Sequence, residues 1–417
     1  MSSFHRDAAG RACFGGLPLE DALKQAGVST PAYVYDLDAI EAGARELVSA
    51  LGERHVVAYA IKANSAASVV KRIAKAGAGA DLVSGGELEV ALGCGMQPER
   101  IVMSGVAKSD RELDRAISLN LLAIQAESVE ELPRIAARAK ALGKRARASL
   151  RVNPGIEIDS HAHIATGHDE AKFGILESDL PRAFDFARNN AEQLTISGIS
   201  THVGSMLKQP EPYLESARTV CNVAKAFRAQ GGVLEFIDFG GGFGIDYGGG
   251  AAQPPANFAR RALALAAEEG LGDLKLVIEP GRALVGPHGA LLTSVIQLKE
   301  SGERRWVMVD AGMNDLIRPA LYAAKHRVEP CAAPPTDKAW RVVGPVCESS
   351  DDFGEHPLYD SPSGVLVMRD AGAYGFAMAS EYNGRALPAE IFISGGKVVH
   401  TKPSPGVDAW VKSRLEA

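Results

Sequence analysis

Cysteine is scarce in this chain and its pattern is unpaired. Five cysteines (Cys13, Cys94, Cys221, Cys331 and Cys347) are scattered over 417 residues, odd in number and never spaced as Cys-x-x-Cys. That argues against a disulfide framework and against a thiolate zinc site, and no metal is expected. Cationic excess is lacking too. The formal net charge is −6, so no global positive field exists to hold nucleic acid or an anionic membrane. No uninterrupted apolar run approaches the ~20 residues needed to span a bilayer. The first sixteen residues lack the apolar core of a secretory signal, so a cytoplasmic protein is expected. Low-complexity tracts are also lacking, and the 44 glycines therefore mark turns rather than disorder. What remains is a globular chain whose partner is a small molecule.

Short apolar runs alternate with amphipathic stretches. Eight candidate strands are Val56–Ile61, Gly79–Val83, Ile101–Met103, Leu121–Ile124, Ala148–Val152, Ile196–Ser200, Phe236–Phe239 and Leu276–Ile278. Helices are expected between them, at Ala67–Ala76, Ser109–Leu119, Ser128–Ala141, Tyr213–Gln230 and Asn257–Gly270; Ser109 and Glu112 have capping-box spacing. Eight repeats of strand and helix over about 220 residues are the pattern of a (β/α)8 barrel, with a doubly wound open sheet as the alternative. After Gly289 the texture turns to strands at Leu291–Leu298, Trp306–Val309, Trp340–Val343, Val365–Met368 and Ile391–Ser394. The expected division is a barrel over residues 31–289 and a β-rich domain over 290–417, to which residues 1–30 contribute.

Barrel active sites lie at the strands' C-terminal ends. Here those ends carry Lys62, Ser84–Glu87, Arg151–Asn153, His202–Ser205, Gly240–Gly244 and Glu279–Arg282. Lys62 closes an apolar strand. It reads either as a lysine reaching out to water or as a Schiff-base lysine for an aldehyde. Gly240–Gly244 reads as a tight turn or as a nest of amides for an anion. It is not a dinucleotide fingerprint, since the third glycine position is Ile245. Glu279 could hold a pyridine nitrogen protonated, and His202 could stack on a planar ring.

Tyr59-Ala-Ile-Lys62-Ala-Asn64, His202-Val-Gly-Ser205, Gly240-Gly-Gly-Phe-Gly244, Glu279-Pro-Gly-Arg282 and Cys347-Glu348 stand in one ordered set. In that order the chain resembles the fold-type III pyridoxal-phosphate decarboxylases, whose fold is the alanine-racemase-like barrel. Within that group it is most similar to the diaminopimelate decarboxylase family. The closer matches are Arg151-Val-Asn-Pro-Gly155, Thr166-Gly167 with Lys172-Phe-Gly174, Met313-Asn-Asp-Leu-Ile-Arg-Pro-Ala-Leu-Tyr322, and Asp370-Ala-Gly-Ala-Tyr374.

The resemblance implies pyridoxal 5'-phosphate on Lys62, with His202, Ser205, Gly241, Gly242, Glu279, Gly281, Arg282 and Tyr374 around it. It further implies that Arg282, Arg318, Tyr322, Glu348 and Tyr374 bind an amino-acid substrate, meso-2,6-diaminopimelate, and that Cys347 supplies a proton. It also implies a homodimer in which Cys347 and Glu348 serve the partner's site. Decarboxylases of ornithine, lysine or a carboxylated polyamine are the near rivals; their substrates end in an ammonium alone, so Arg318 and Tyr322 favour the diacid. A racemase and a cofactor-carrying protein without turnover are the distant ones.

Overall fold

The eight expected strands close into a barrel. The computed structural model describes residues 2–155 and 172–416, so the Thr166-Gly167 motif lies outside the described residues. The barrel strands are Val56–Ala60, Gly79–Leu82, Ile101–Met103, Ala123–Ala126, Ala146–Arg151, Leu194–Ser200, Phe236–Gly241 and Lys275–Glu279. Each pairs in parallel with the next, and the last pairs with the first through Val277 opposite Val56. The open-sheet alternative is thereby excluded. Val56, Ala58, Val102, Ala123, Phe236 and Val277 pack together as one buried cluster. Because side chains alternate along a strand, the next inward positions after Gly79, Ala123, Phe236 and Val277 are Asp81, Gln125, Asp238 and Glu279. The barrel is thus apolar at one level and polar at the level above, toward the strands' C-terminal ends.

Local sequence explains the helices between the strands. Ser109 accepts the Glu112 N–H, while the Glu112 side chain accepts the Ser109 N–H, completing the expected capping box of Asp110–Leu119. Asn120 ends that helix in the left-handed conformation. The helix expected from Ser128 begins at Glu131, since Ser128 spends its hydroxyl capping the Glu131 N–H.

The chain divides into two compact units. One is the barrel unit, Gly43–Ile245 with Ala252–Ala283; the other, the sheet unit, is Met1–Ala42, Asp246–Ala251 and Leu284–Ala417. The strand Ala32–Asp36 belongs to the second of these. It pairs antiparallel with Gly289–Ser301 and parallel with Ala389–Ser394, which moves the boundary from the expected residue 31 to just after Ala42. Gly289–Ser301 runs through two environments. Its first half is buried between Ala32–Asp36 and Val365–Met368, while its second half forms an exposed hairpin with Arg304–Val309, where Ile296 is 67% exposed. Ala12, Phe14, Leu17 and Leu19 pack with Val34, Leu292, Val367 and Ile391, so the N-terminal residues help to build this core. Among the described residues no helix is long and apolar enough to cross a membrane.

One buried histidine gives this unit a pH dependence. His288 is buried, with Nδ1 2.8 Å from the Ser3 hydroxyl, and burial pushes its pKa down from 6.5 to about 4. The unfolded chain takes up this proton first, so the neutral folded form loses stability as pH falls from 6.5 toward 4. The loss is about 3 kcal/mol by pH 4. Urea unfolding at pH 7.5 and pH 5 should show this fall in the wild type and a shallower one in His288→Gln. Identical slopes would remove His288 as its source.

Candidate active site

Lys62 sits in a single 3₁₀ turn, Ile61–Ala63, immediately after the first barrel strand. Its ammonium donates to Asp81 Oδ2 at 2.5 Å, and the lysine side chain is 35% exposed against 1% for the aspartate. The lysine therefore bends to a carboxylate inside the barrel mouth rather than extending into water. Burial pushes Asp81 up, the nearby Glu279 adds to this, and Lys62 and the Ser104 hydroxyl pull against both, leaving it raised.

A second cluster surrounds Glu279, the last residue of the eighth strand. One amide, Gln125 Nε2, donates to Glu279 Oε1 at 2.9 Å and to Asp238 Oδ2 at 3.0 Å. His202 Nδ1 lies 3.6 Å from Glu279 Oε2. Burial opposes ionisation of Glu279. The hydrogen bond and charge of His202, with Lys62 and Arg151, outweigh it and hold the carboxyl at about 2. Burial and the neighbouring Glu279 push Asp238 well above the usual carboxylate range, although the Gly240 N–H, 2.9 Å from Asp238 Oδ1, favours its ionised form. Of the two carboxyls, Glu279 is the one held toward its ionised form and Asp238 the one pushed toward its protonated form. Two carboxyls in one dry site cannot both ionise cheaply, and the cations lie on the side of Glu279.

The glycine run is shaped by its neighbours. A Cβ on Gly241 would stand 1.9 Å from the Glu279 carbonyl oxygen, and one on Gly242 (φ +93°) 2.4 Å from the Gly204 carbonyl oxygen. Leu207 N–H donates to the Gly242 carbonyl and Gly244 N–H to the Leu207 carbonyl, which locks the run against the loop carrying His202 and Ser205. The turn is therefore demanded by close backbone packing of three adjacent strand ends. Beside it, Arg282 Nη2 donates to the Ser205 hydroxyl at 3.0 Å, and buried Gly281 faces the Ala60 and Ala63 methyls. On the far side of the mouth Arg151 pairs with buried Glu127 at 2.9 Å, and Glu127 also accepts the Gly174 N–H, anchoring the Lys172-Phe-Gly174 segment.

The remaining candidates belong to the sheet unit. Arg318 is buried at the head of the helix Arg318–Tyr322. Its Nη1 donates to the Tyr247 hydroxyl at 2.7 Å and meets His326 Nε2 at 3.3 Å, while its guanidinium lies 5.1 Å from the Tyr247 ring centroid. His326 Nδ1 is 2.9 Å from the Arg369 carbonyl, which fixes that nitrogen as the N–H and leaves Nε2 to accept from Arg318. Tyr322 is half-buried at the helix end. Half-buried Tyr374 has φ +55°, a conformation that costs an aromatic residue energy and is held by its surroundings. Cys347 is the exposed cysteine of the five, and its N–H donates to Asn383 Oδ1. The neighbouring Glu348 accepts the Tyr382 hydroxyl at 2.8 Å. Lys62, His202, Ser205, Gly241, Gly242, Glu279, Gly281 and Arg282 thus gather in the barrel unit, and Arg318, Tyr322, Cys347, Glu348 and Tyr374 in the sheet unit.

Asp81, Gln125 and Asp238 belong to this cluster but lie inside the strands, before the strand-end residues that the sequence singled out. A signal for them existed: each is an ionisable or amide residue inside an otherwise apolar barrel strand, where such a group is costly unless partnered.

The pyridoxal-binding domain model of the pyridoxal-dependent decarboxylases matches residues 37–286. The chain belongs to this family. Similar decarboxylases span nearly all of it. The diaminopimelate decarboxylase of Zymomonas mobilis is 37% identical over 396 residues, 93% of either chain. That of Neisseria meningitidis serogroup A is 40% identical over 375 residues, 88% of this chain and 90% of the other. Among solved decarboxylases, that of Helicobacter pylori complexed with L-lysine superposes with a TM-score of 0.88 at 37% identity, covering 95% of this chain and 99% of the other. The diaminopimelate decarboxylase of M. jannaschii in complex with L-lysine gives 0.90 at 30% identity, covering 100% and 98%.

The barrel mouth fits the cofactor of this decarboxylase family. An aldehyde needs a primary amine, a protonated pyridine nitrogen needs a buried ionised carboxylate, and a phosphate needs cationic and hydroxyl donors. Lys62, Glu279 and the Arg282–Ser205 pair supply those three kinds of group within one unit.

Proposed function

We propose that this protein decarboxylates meso-2,6-diaminopimelate to L-lysine, with pyridoxal 5'-phosphate bound at the barrel mouth. The observation that carries the reading is near-full-length similarity to diaminopimelate decarboxylases, two of them solved with L-lysine bound. When bound, the cofactor supplies an aldehyde for the substrate's α-amine and a protonated ring that accepts the electrons left by departing carbon dioxide.

The chain's own residues do the rest. Lys62 would offer the amine that holds the aldehyde. Glu279, ionised at neutral pH, would keep the ring nitrogen protonated, with Gln125 donating to Glu279 and to Asp238 beside it. His202 would stack on the ring. Ser205, Gly241, Gly242, Gly281 and Arg282 would surround the phosphate and ring. Arg282, Arg318 and Tyr322 grip the distal carboxylate of the substrate, Glu348 takes its distal ammonium, and Tyr374 contacts cofactor and substrate. Cys347 delivers a proton to the carbon that lost its carboxylate. Its exposure, and that of Glu348, supports a homodimer in which both serve the partner's site. A small-molecule biosynthetic enzyme of this kind works in the cytoplasm.

Product analysis tests the chemistry: carbon dioxide and L-lysine should form in equal amounts from meso-diaminopimelate. Subunit mixing tests the shared site. Lys62→Ala and Cys347→Ala proteins are each expected to be inactive. After exchange, half the dimers are mixed and one of their two sites is intact, so about a quarter of wild-type activity should return. No recovery despite demonstrated exchange would place Cys347 in its own subunit's site or in none.

A further inference from the structure

A buried carboxylate in the sheet unit joins the two segments on which the proposed reaction draws. Asp351 is 4% exposed. Its Oδ1 accepts the Met313 N–H at 2.6 Å, and its Oδ2 accepts the Val346 N–H at 2.6 Å. Met313 opens the segment that leads to Arg318 and Tyr322. Val346 immediately precedes Cys347 and Glu348. The backbone of Asp351 closes the same loop, donating to the Glu348 carbonyl at 3.1 Å and accepting the Gly344 N–H at 3.2 Å.

Two glycines make room for this carboxylate. A Cβ on Gly344 would stand 2.4 Å from Oδ2 and 2.5 Å from Oδ1, and one on Gly312 would stand 3.2 Å from Oδ2. Backbone thus presses on the carboxylate from both segments, with no space for a side chain between. Other ties of the loop involve exposed residues: the Cys347 N–H to Asn383, the Glu348 carboxylate to the Tyr382 hydroxyl, and the Ser350 hydroxyl to the Met313 sulfur at 3.6 Å. An ionised carboxylate is all acceptor and meets both amides at once. An asparagine would turn an NH₂ group against one of the two amides and leave that N–H without an acceptor.

We propose that Asp351 is a positioning residue whose carboxylate holds the Cys347–Glu348 loop in register with the segment carrying Arg318 and Tyr322, so that one tie fixes both the substrate clamp of its own subunit's site and the proton donor that this subunit lends to its partner's site. The proposal rests on the roles assigned above to Cys347 and Arg318.

The test is hydrogen exchange and steady-state kinetics on holoenzyme carrying Asp351→Asn. Amide exchange across residues 346–348 should quicken about tenfold or more, while exchange in the barrel strands and the visible cofactor absorbance stay as in wild type. The kcat for the preferred substrate should fall about tenfold to a hundredfold, the range expected when a hydrogen bond to a charged group is lost. Should that variant fail to fold, Gly344→Ala presses a methyl group on the same carboxylate from the other side and should loosen the same residues. Exchange that is unchanged at 346–348, exchange that quickens equally throughout the sheet unit, or quickened local exchange with wild-type kcat would each overturn the proposal. The exchange measurement needs no substrate, so its outcome is separate from the choice of meso-diaminopimelate.

Discussion

Replacing Lys62 with alanine should lower turnover by about 10,000-fold or more and remove the visible absorbance of the bound cofactor. Loss of a covalent catalyst is among the costliest single changes an enzyme can suffer, because no other group repeats its bond-making step. In this chain the amine is also the cation that faces Asp81 at 2.5 Å and contributes to the ionisation of Glu279. Removing it therefore deprives a buried carboxylate of its cation in addition to removing the amine. Lys62→Arg separates the two effects. It keeps a positive charge near Asp81 but offers no amine, so it should restore thermal stability toward wild type while leaving turnover as low as in the alanine variant. An alanine variant that kept both the absorbance and the wild-type rate would refute the assignment of Lys62.

The second large effect concerns the distal end of the substrate. Arg318→Ala should lower kcat/KM for meso-diaminopimelate by about 2–5 kcal/mol, roughly 30-fold to 5,000-fold, as for loss of one partner of a desolvated charge pair. Arg318 is fixed before any substrate arrives: Tyr247 stacks on it and accepts from it, and His326 presents Nε2 to the same nitrogen. A guanidinium held in one orientation can meet a carboxylate through two parallel hydrogen bonds with little further ordering. L-lysine has no distal carboxylate to lose, so any residual activity on it should change little. The ratio of kcat/KM for the two substrates, in wild type and variant, is the quantity to measure. An unchanged ratio would take Arg318 out of the specificity pocket.

Much of this molecule was legible from one-dimensional pattern. The barrel announced itself because short apolar runs alternate with capped helices, and barrel strands must end at the face that carries the chemistry. The strand expected at Leu121–Ile124 shows where pattern fails. It runs Ala123–Ala126, because Leu121 and Leu122 are buried before the strand begins and polar Gln125 lies inside it. A search for apolar residues stops at Gln125, and the same stop hid its bridge between Asp238 and Glu279. Asp81 and Asp238 were hidden alike: they occupy the inward alternation of strands buried on both faces, where hydrophobicity does not distinguish inside from outside. The place of Ala32–Asp36 was illegible for another reason. Its partners, Gly289–Ser301 and Ala389–Ser394, lie hundreds of residues downstream, and no local periodicity encodes such a pairing. The glycine run was legible as a turn. Its need for glycine at position 241 appears only with the Glu279 carbonyl 1.9 Å from where a Cβ would stand.

The most direct test of the central claim is carbon dioxide release by the holoenzyme from meso-diaminopimelate, L-lysine, L-ornithine and L-arginine, each measured to kcat/KM under one set of conditions. A pocket that pairs both charged ends of a substrate rejects analogues that leave its buried groups unpaired. Diaminopimelate should therefore exceed each of the others by about 1,000-fold or more, a gap of that order following from the unpaired-group penalty. A higher kcat/KM for L-lysine, L-ornithine or L-arginine than for meso-diaminopimelate would contradict the assignment, and would leave a pyridoxal-dependent decarboxylase of a different amino acid.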